Sequence, residues 1–172
     1  MELYTLQPTD STMLRELMLR MYADSPDAFG ETLAQAETRS DVEWDELAKM
    51  LTDTARFVAF VARQDEQSVG FVVGLIGRAV NGQLDHSATE TVTVGRMWVD
   101  PTLRGQGLAH TLMEAVMSWA RQKGAKQMEL EVTEGNDRAI QFYQQVGFVD
   151  TGHREPFPSN PKLQMYFMTL NL

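Results

Sequence analysis

The amino-acid sequence predicts one α+β domain over residues 1–172, a mixed sheet of about seven strands with helices packed on both faces. Three observations carry this. Short runs rich in β-branched and aromatic residues recur along the chain between turn residues. Four stretches repeat apolar residues at helical spacing. Residues 92–124 read strand, glycine turn and helix, and an alternating strand follows at Gln127–Thr133, an order that sets two strands parallel around a crossover helix.

Taken in order, residues 2–7 predict an opening strand. Asp10 is placed to cap a helix whose apolar positions Met13, Leu14, Leu17, Met18, Met21 and Tyr22 fall on one face. Methionines can line an adaptable pocket, but at this spacing they read as core. Residues 24–30 (Asp-Ser-Pro-Asp-Ala-Phe-Gly) break that helix with turn formers around one aromatic, and such a loop could face a substrate. Ser40 and Glu43 have capping-box spacing, so a second helix over Asp41–Leu51 buries Trp44, Leu47, Ala48 and Leu51. Residues 56–63 and 69–77 predict a hairpin across the polar turn 64–67.

Residues 78–90 are polar and contain glycine, which suggests a mobile loop in which His86 is solvated. Thr91–Val99 is the central strand. Leu108, Leu112, Val116, Trp119 and Ala120 mark the helix that Gly124 ends. Gln127–Thr133 alternates Met128, Leu130 and Val132 against Glu129 and Glu131. Asn136 can cap a helix with Ala139, Ile140, Tyr143 and Val146 inward, and Gly147 followed by Phe148 closes it. Two strands, 148–152 and 163–170, complete the sheet. The segment 156–161 (Pro-Phe-Pro-Ser-Asn-Pro) between them reads as a stiff irregular wall. A C-terminal strand left at an edge would allow a homodimer.

The composition is that of an ordinary globular protein, 43% hydrophobic and 23% charged. The chain has no cysteine, which rules out disulfides, thiolate metal sites and a cysteinyl acyl-enzyme. A net charge of -9 argues against binding nucleic acid, since affinity for phosphate backbones comes largely from Lys and Arg. It mildly favours a cationic acceptor, although many acidic proteins carry such charge for solubility. No window approaches the roughly 20 apolar residues of a membrane span, and no leader pattern opens the chain, so the cytoplasm is the default location.

The turn Arg104-Gly105-Gln106-Gly107 precedes a helix, where free backbone N–H groups and the positive end of the helix dipole favour an anion. Glycines leave that backbone bare, and Arg104 adds a cation at the rim, so a pyrophosphate fits there; the same turn would also serve as a plain strand-to-helix connection. A P-loop would need Gly-Lys-Ser/Thr, but Leu108 and Ala109 follow Gly107. A dinucleotide fingerprint would need glycine where His110 stands, although Glu129 or Glu131 could imitate its ribose-binding acid.

Val99-Asp100-Pro101 followed by Arg104-Gly105-Gln106-Gly107-Leu108-Ala109 resembles the acyl-coenzyme A signature of the Gcn5-related N-acetyltransferase (GNAT) family. Downstream, Asn136, Ala139, Phe142-Tyr143 and Gly147-Phe148 resemble that family's second pattern. The two motifs together are specific and cover roughly the C-terminal half; the first half resembles the family only in element order. The resemblance implies a mostly antiparallel sheet whose central strand splays from the following parallel strand. It implies acetyl-CoA as acyl donor, held at Met97, Trp98, Val99, Arg104, Gly105, Gln106, Gly107, Leu108, Ala109, Asn136 and Tyr143, with the pantetheine arm paired along Met97 to Val99.

Acyl transfer from a thioester to an amine requires a neutral amine, a stabilised oxyanion and a protonated leaving thiolate. A tyrosine on the inner face of a helix reads as packing, but the resemblance makes Tyr143 the general acid. Its phenol, of ordinary pKa about 10, can protonate a thiolate whose thiol titrates at about 8.5. A main-chain N–H near Trp98 would meet the oxyanion. Glu131, twelve positions before Tyr143, resembles the catalytic glutamate of members acting on protein N-termini; Glu90 or a water chain are alternative bases, and His110 and His153 are weaker. The three histidines have no metal-ligand spacing, and no nucleophile-elbow signature occurs. The expected activity is transfer of an acetyl group to a primary amine of a small molecule or peptide. A non-catalytic acyl-CoA sensor and a nicotinamide-dependent oxidoreductase are the rival classes.

Overall fold

A computed structural model describes residues 1–80, 83–85 and 87–172. Its main sheet has seven strands: β1 (Glu2–Thr5), β2 (Phe57–Gln64), β3 (Gln67–Ile76), β6 (Thr91–Val99), β7 (Gln127–Thr133), β8 (Val149–Phe157) and β9 (Asn160–Asn171). They lie in the order β1-β2-β3-β6-β7-β9-β8, and only the β6–β7 pair is parallel. Residues 78–90 carry a second small hairpin, β4 (Arg78–Val80) and β5 (Gln83–Asp85), where composition alone suggests a loop. His86 lies outside the described residues.

The helices α1 (Ser11–Asp24), α2 (Leu33–Glu37) and α3 (Asp41–Leu51) cover one face of the sheet. On the other lie α4 (Leu108–Gln122) and α5 (Asp137–Val146). Strand β3 is buried on both sides because its residues alternate: Phe71 and Val73 pack toward α1, and Val72 packs toward α4. The α4 helix comes so close that a Cβ on Gly70 would stand 2.9 Å from Leu112 Cδ1, and one on Gly74 3.0 Å from Val116 Cγ1. These two glycines set the depth at which α4 sits.

Local chemistry explains most boundaries. Ser40 and Glu43 form the expected capping box. A second box, Thr32 with Gln35, starts the five-residue α2, which the spacing of apolar residues does not reveal because the helix is shorter than two turns. Asp65 and Glu66 both have positive φ, the two-residue turn that suits the twist of the β2–β3 hairpin. Asp10 sits at the start of α1 but does not cap it; its carboxylate accepts from the Tyr4 hydroxyl (2.9 Å) and the Gln7 N–H (2.7 Å) instead.

The C-terminal half differs from the sequence reading in two ways. Strand β8 continues through Pro156 and Phe157, so the irregular wall shrinks to a turn at Pro158 and Ser159. An edge position tolerates the missing N–H of proline. The C-terminal strand β9 is flanked by β7 and β8, so the edges belong to β1 and β8.

The site is positioned by how β6 leaves β7. Their pairing runs from Thr91↔Gln127 to Val94↔Leu130 and stops, while β6 stays paired to β3 as far as Val99↔Gly70 and β7 to β9 as far as Thr133↔Met165. At the parting point β6 carries an extra residue: Val73 faces Gly95 and Phe71 faces Trp98, so Arg96 and Met97 together oppose Val72. Arg96 takes up the bulge with φ of 55°. The splayed strand pair expected from the resemblance is present.

Candidate active site

Two cavities open where β6 and β7 part. The first, of about 520 Å³, is lined on one side by Met97, Trp98 and Val99 of β6 and on another by Arg104, Gly105, Gly107 and Ala109; α5 adds Asn136, Phe142 and Tyr143. The second, of about 680 Å³, holds Arg96, Glu131, Glu155 and Glu31 among walls that include Phe157 and Met165. Ala28 and Phe29 line both, so the loop after α1 forms the ridge between them.

The first cavity has a bare, glycine-rich wall. Gly105 and Gly107 have φ of 78° and 86°, and a Cβ on either would meet nothing within 4 Å, so open space lies before this backbone. Among the described residues no N–H from Gly105 to His110 donates to a protein acceptor. The first α4 bond is from Thr111 N–H to the Gly107 carbonyl at 3.1 Å. Six N–H groups without a protein acceptor thus precede or open a fifteen-residue helix, at the positive end of its dipole, where an anion is favoured.

Arg104 does a different task from the rim cation its sequence position suggests. Its Nε donates to the Val99 carbonyl at 2.9 Å, and its guanidinium pairs with Asp24. Asp24 also accepts from the Trp98 indole N–H (2.9 Å) and from Ser25 (2.6 Å). Burial opposes the charge on Asp24, but the hydrogen bonds from Ser25, Trp98 and Arg104 outweigh it and hold the carboxyl below its usual range. The carboxylate thus ties the end of α1 to β6 and to the glycine turn.

The direction of the β6 amides follows from one bond. Asp100 N–H donates to the Val69 carbonyl of β3. Groups alternate along a regular strand, so Trp98 also points toward β3 while Val99 turns its N–H toward the gap; Met97 belongs to the bulge. Among the amides near Trp98, a donor to a group in the gap would therefore come from a neighbour of Trp98 such as Val99.

Tyr143 is 7% exposed, packed against Phe142 and Phe148, and lines the first cavity. Burial pushes its phenol well above the usual value, so it keeps its proton at any working pH. Asn136 caps α5 by accepting from Ala139 N–H at 3.4 Å and also lines the cavity. Two residues of the sequence-derived set lie apart: the Gln106 side chain donates to the Thr102 carbonyl (3.1 Å), and Leu108 is buried beneath Gly70. His110 does line the cavity, edge-on to Phe142 at 5.0 Å.

Glu131 opens into the second cavity and makes no hydrogen bond or ion pair with any described residue. Burial against the cavity wall, then the negative charges of Glu155 and Glu129, push its pKa up to about 7. Glu90 is far from both cavities, at the opposite end of β6, where it pairs with Lys126 at 2.5 Å. His153 is exposed and pairs with Glu155 at 2.9 Å. Among the described residues no three His, Cys, Asp or Glu are grouped to hold a metal ion, and no helix is long and apolar enough to cross a membrane.

The sequence model of the acetyltransferase (GNAT) family matches residues 16–148. The chain belongs to this family. Among GNAT relatives, the mycothiol acetyltransferase of Thermobispora bispora is 31% identical over 147 residues, 85% of this chain, and the chain spans only 45% of that protein's length. A GNAT-family acetyltransferase from Streptococcus pneumoniae superimposes with a TM-score of 0.81 at 16% identity, covering 99% of both chains. A Salmonella typhimurium protein solved with its cofactor acetyl-CoA gives 0.72 at 20% identity, over 100% of this chain and 94% of that one. GNAT membership removes the nicotinamide oxidoreductase alternative, and the sheet agrees. A doubly wound dinucleotide fold needs successive parallel strands, and here there is one parallel pair.

Sequence reasoning missed Arg96 and Glu31, both of which line the second cavity, whereas Phe29 lies in the loop 24–30 expected to face a substrate. Neither Arg96 nor Glu31 belongs to a motif; a bulge forced by the parting strands is what aims Arg96.

Proposed function

We propose that this chain transfers an acetyl group from acetyl-CoA to a primary amine by direct attack in a ternary complex. One observation carries the reading: a cavity bordered by free backbone N–H groups and an acid-lined cavity lie side by side where β6 and β7 separate. The free N–H groups from Gly105 to His110 would hold the pyrophosphate, and the open edge of Met97 to Val99 would pair with the pantetheine arm. When bound, acetyl-CoA supplies an activated acyl carbon as a thioester.

The chain's own groups do the rest. The N–H of a neighbour of Trp98 such as Val99 steadies negative charge on the acyl oxygen. Glu131 takes a proton from the incoming ammonium, and a pKa of about 7 suits a base working near neutrality. Tyr143 holds a proton at Oη and gives it to sulfur as the thioester breaks. Its raised pKa makes it a reluctant donor, but the same apolar wall raises the proton affinity of a thiolate placed against it, so the two stay matched. The reading places the protein in the cytoplasm with its acetyl donor, which cell fractionation tests, and allows a homodimer through the β8 edge, which light scattering tests.

The deciding experiment incubates the protein with acetyl-CoA and a panel of amines and follows thiol release. Amine-dependent release is the expected result. Tight binding of acetyl-CoA with no release for any amine would make the chain an acyl-CoA sensor instead.

A further inference from the structure

We propose that the acceptor is an amino acid or another small amine that bears a carboxylate, with the carboxylate seated on Arg96 and the amine turned toward Glu131. This deepens the acetyl-transfer reading and rests on it. The second cavity contains two opposite charges that do not pair with each other. Arg96 donates one hydrogen bond among the described residues, to the Tyr22 hydroxyl at 2.6 Å. Its guanidinium stands 4.0 Å from Glu31, but Glu31 is already engaged by Arg39 at 2.7 Å and by the Tyr22 hydroxyl at 2.6 Å. Arg96 lines the cavity with its side chain 28% exposed, and one of its N–H groups is used by Tyr22.

Glu131 lines the same cavity, and no ion pair joins it to Arg96 or to any described residue. The two sit near each other in the sheet. Past the last β6–β7 rung, Val94↔Leu130, the next residues on the parting strands are Gly95 and Glu131, and Arg96 follows Gly95 along β6. Gly95 carries no side chain, and a Cβ there would meet nothing within 4 Å. Arg96 and Glu131 thus line one cavity, with open space over the Gly95 between them in the lining. Arg96 keeps only a long ion pair, to a Glu31 that is already engaged elsewhere, and Glu131 has none, so a ligand that completes both is favoured. A zwitterion does this with one molecule, whereas a diamine would bring its second ammonium toward Arg96. Phe157 and Met165, both buried, offer the rest of the acceptor an apolar wall.

The test compares amino acids with their own amides and with aliphatic diamines, following thiol release from acetyl-CoA. In the wild type, kcat/KM for an acid should exceed that for the matching amide by about tenfold to a hundredfold, the range for losing one charge-assisted hydrogen bond. Arg96→Gln should bring the ratio close to one, and Arg96→Lys should keep part of it. A second readout does not depend on turnover: an N-acetylated amino acid should raise the thermal unfolding midpoint of the wild type, its amide should not, and Arg96→Gln should abolish the difference. If Arg96→Gln fails to fold, Tyr22→Phe, which removes the hydroxyl that orients the guanidinium, should lower the ratio in its place. Equal rates on acid and amide, a preference for diamines, or equal thermal shifts would overturn the inference and leave acetyl transfer standing. Absence of thiol release with every amine would overturn acetyl transfer itself, and this inference with it.

Discussion

Glu131→Gln should make the protein slower and more stable at once. In the wild type the carboxyl titrates at about 7, so roughly one-tenth is ionised at pH 6 and nine-tenths at pH 8. If the carboxylate is the base, kcat/KM should rise about tenfold across that interval with an inflection near 7. The variant should lose about a hundredfold at pH 8, about tenfold at pH 6, and the inflection with it. Stability moves the other way. The folded pKa lies above the ordinary 4.5, so the native state binds this proton more tightly than the unfolded chain. The stabilisation is complete below pH 4.5 and is lost as the pH rises through 7. Moving the titration from 4.5 to about 7 costs the ionised native state at most about 3.4 kcal/mol. The side chain is open to solvent in the cavity, so roughly a third of that survives, about 1 kcal/mol. Glutamine removes the cost of burying the charge and, after it, the repulsion from Glu155 and Glu129, so at pH 8 the variant should melt roughly 2–4 °C higher. At pH 4 the two should melt together. Rate profiles and calorimetric melts over pH 4–9 check both halves. A variant that keeps the inflection near 7, or that melts below the wild type at pH 8, would refute the argument.

Three further outcomes follow from the same geometry. Gly107→Val places a branched side chain in the open space before the free N–H groups and should weaken coenzyme A binding at least about tenfold by calorimetry. Gly124→Val, with the same positive φ and open surroundings away from the cavity, should share the strain of about 1–2 kcal/mol but not the loss of affinity; equal losses in both would mean strain alone is at work. Tyr143→Phe keeps the ring and removes the proton, so single-turnover acetylation should slow by about tenfold to a thousandfold while acetyl-CoA affinity and melting temperature stay level; a wild-type rate would make Tyr143 a packing residue only. Asp24→Asn should lower stability by about 1–3 kcal/mol at neutral pH by weakening the hold on Trp98 and Arg104. The folded Asp24 pKa is depressed, so that stabilisation is present above the ordinary 3.8 and is lost as the pH falls below it; the two proteins' melting temperatures should converge in acid.

Much of the fold is legible because its signals are local. The alternation in Thr91–Val99 and Gln127–Thr133, the helical spacing from Leu108, the Ser40–Glu43 box and the Asn136 cap each depend on residues within a few positions of one another. The glycine turn is equally readable: a backbone that must take positive φ before a helix needs glycine, and Gly105 and Gly107 are there. Tyr143 stands out as a candidate only through the motif around it, and the structure places it on the wall of the first cavity.

What tertiary structure decided lies between residues remote in sequence. Arg104 reads as a free cation until Asp24, eighty positions earlier, is seen to hold it. Glu90 and Glu131 are equivalent carboxylates in the sequence; the sheet puts one at the closed end of β6 with Lys126 and the other in the cavity where the strands part. Arg96 has no motif at all, and its direction comes from a bulge that exists because β6 follows β3 while leaving β7. Periodicity and turn chemistry are properties of a short stretch of chain and are written in it, whereas the partner of a charge and the aim of a side chain are set by packing between distant segments and leave no local pattern.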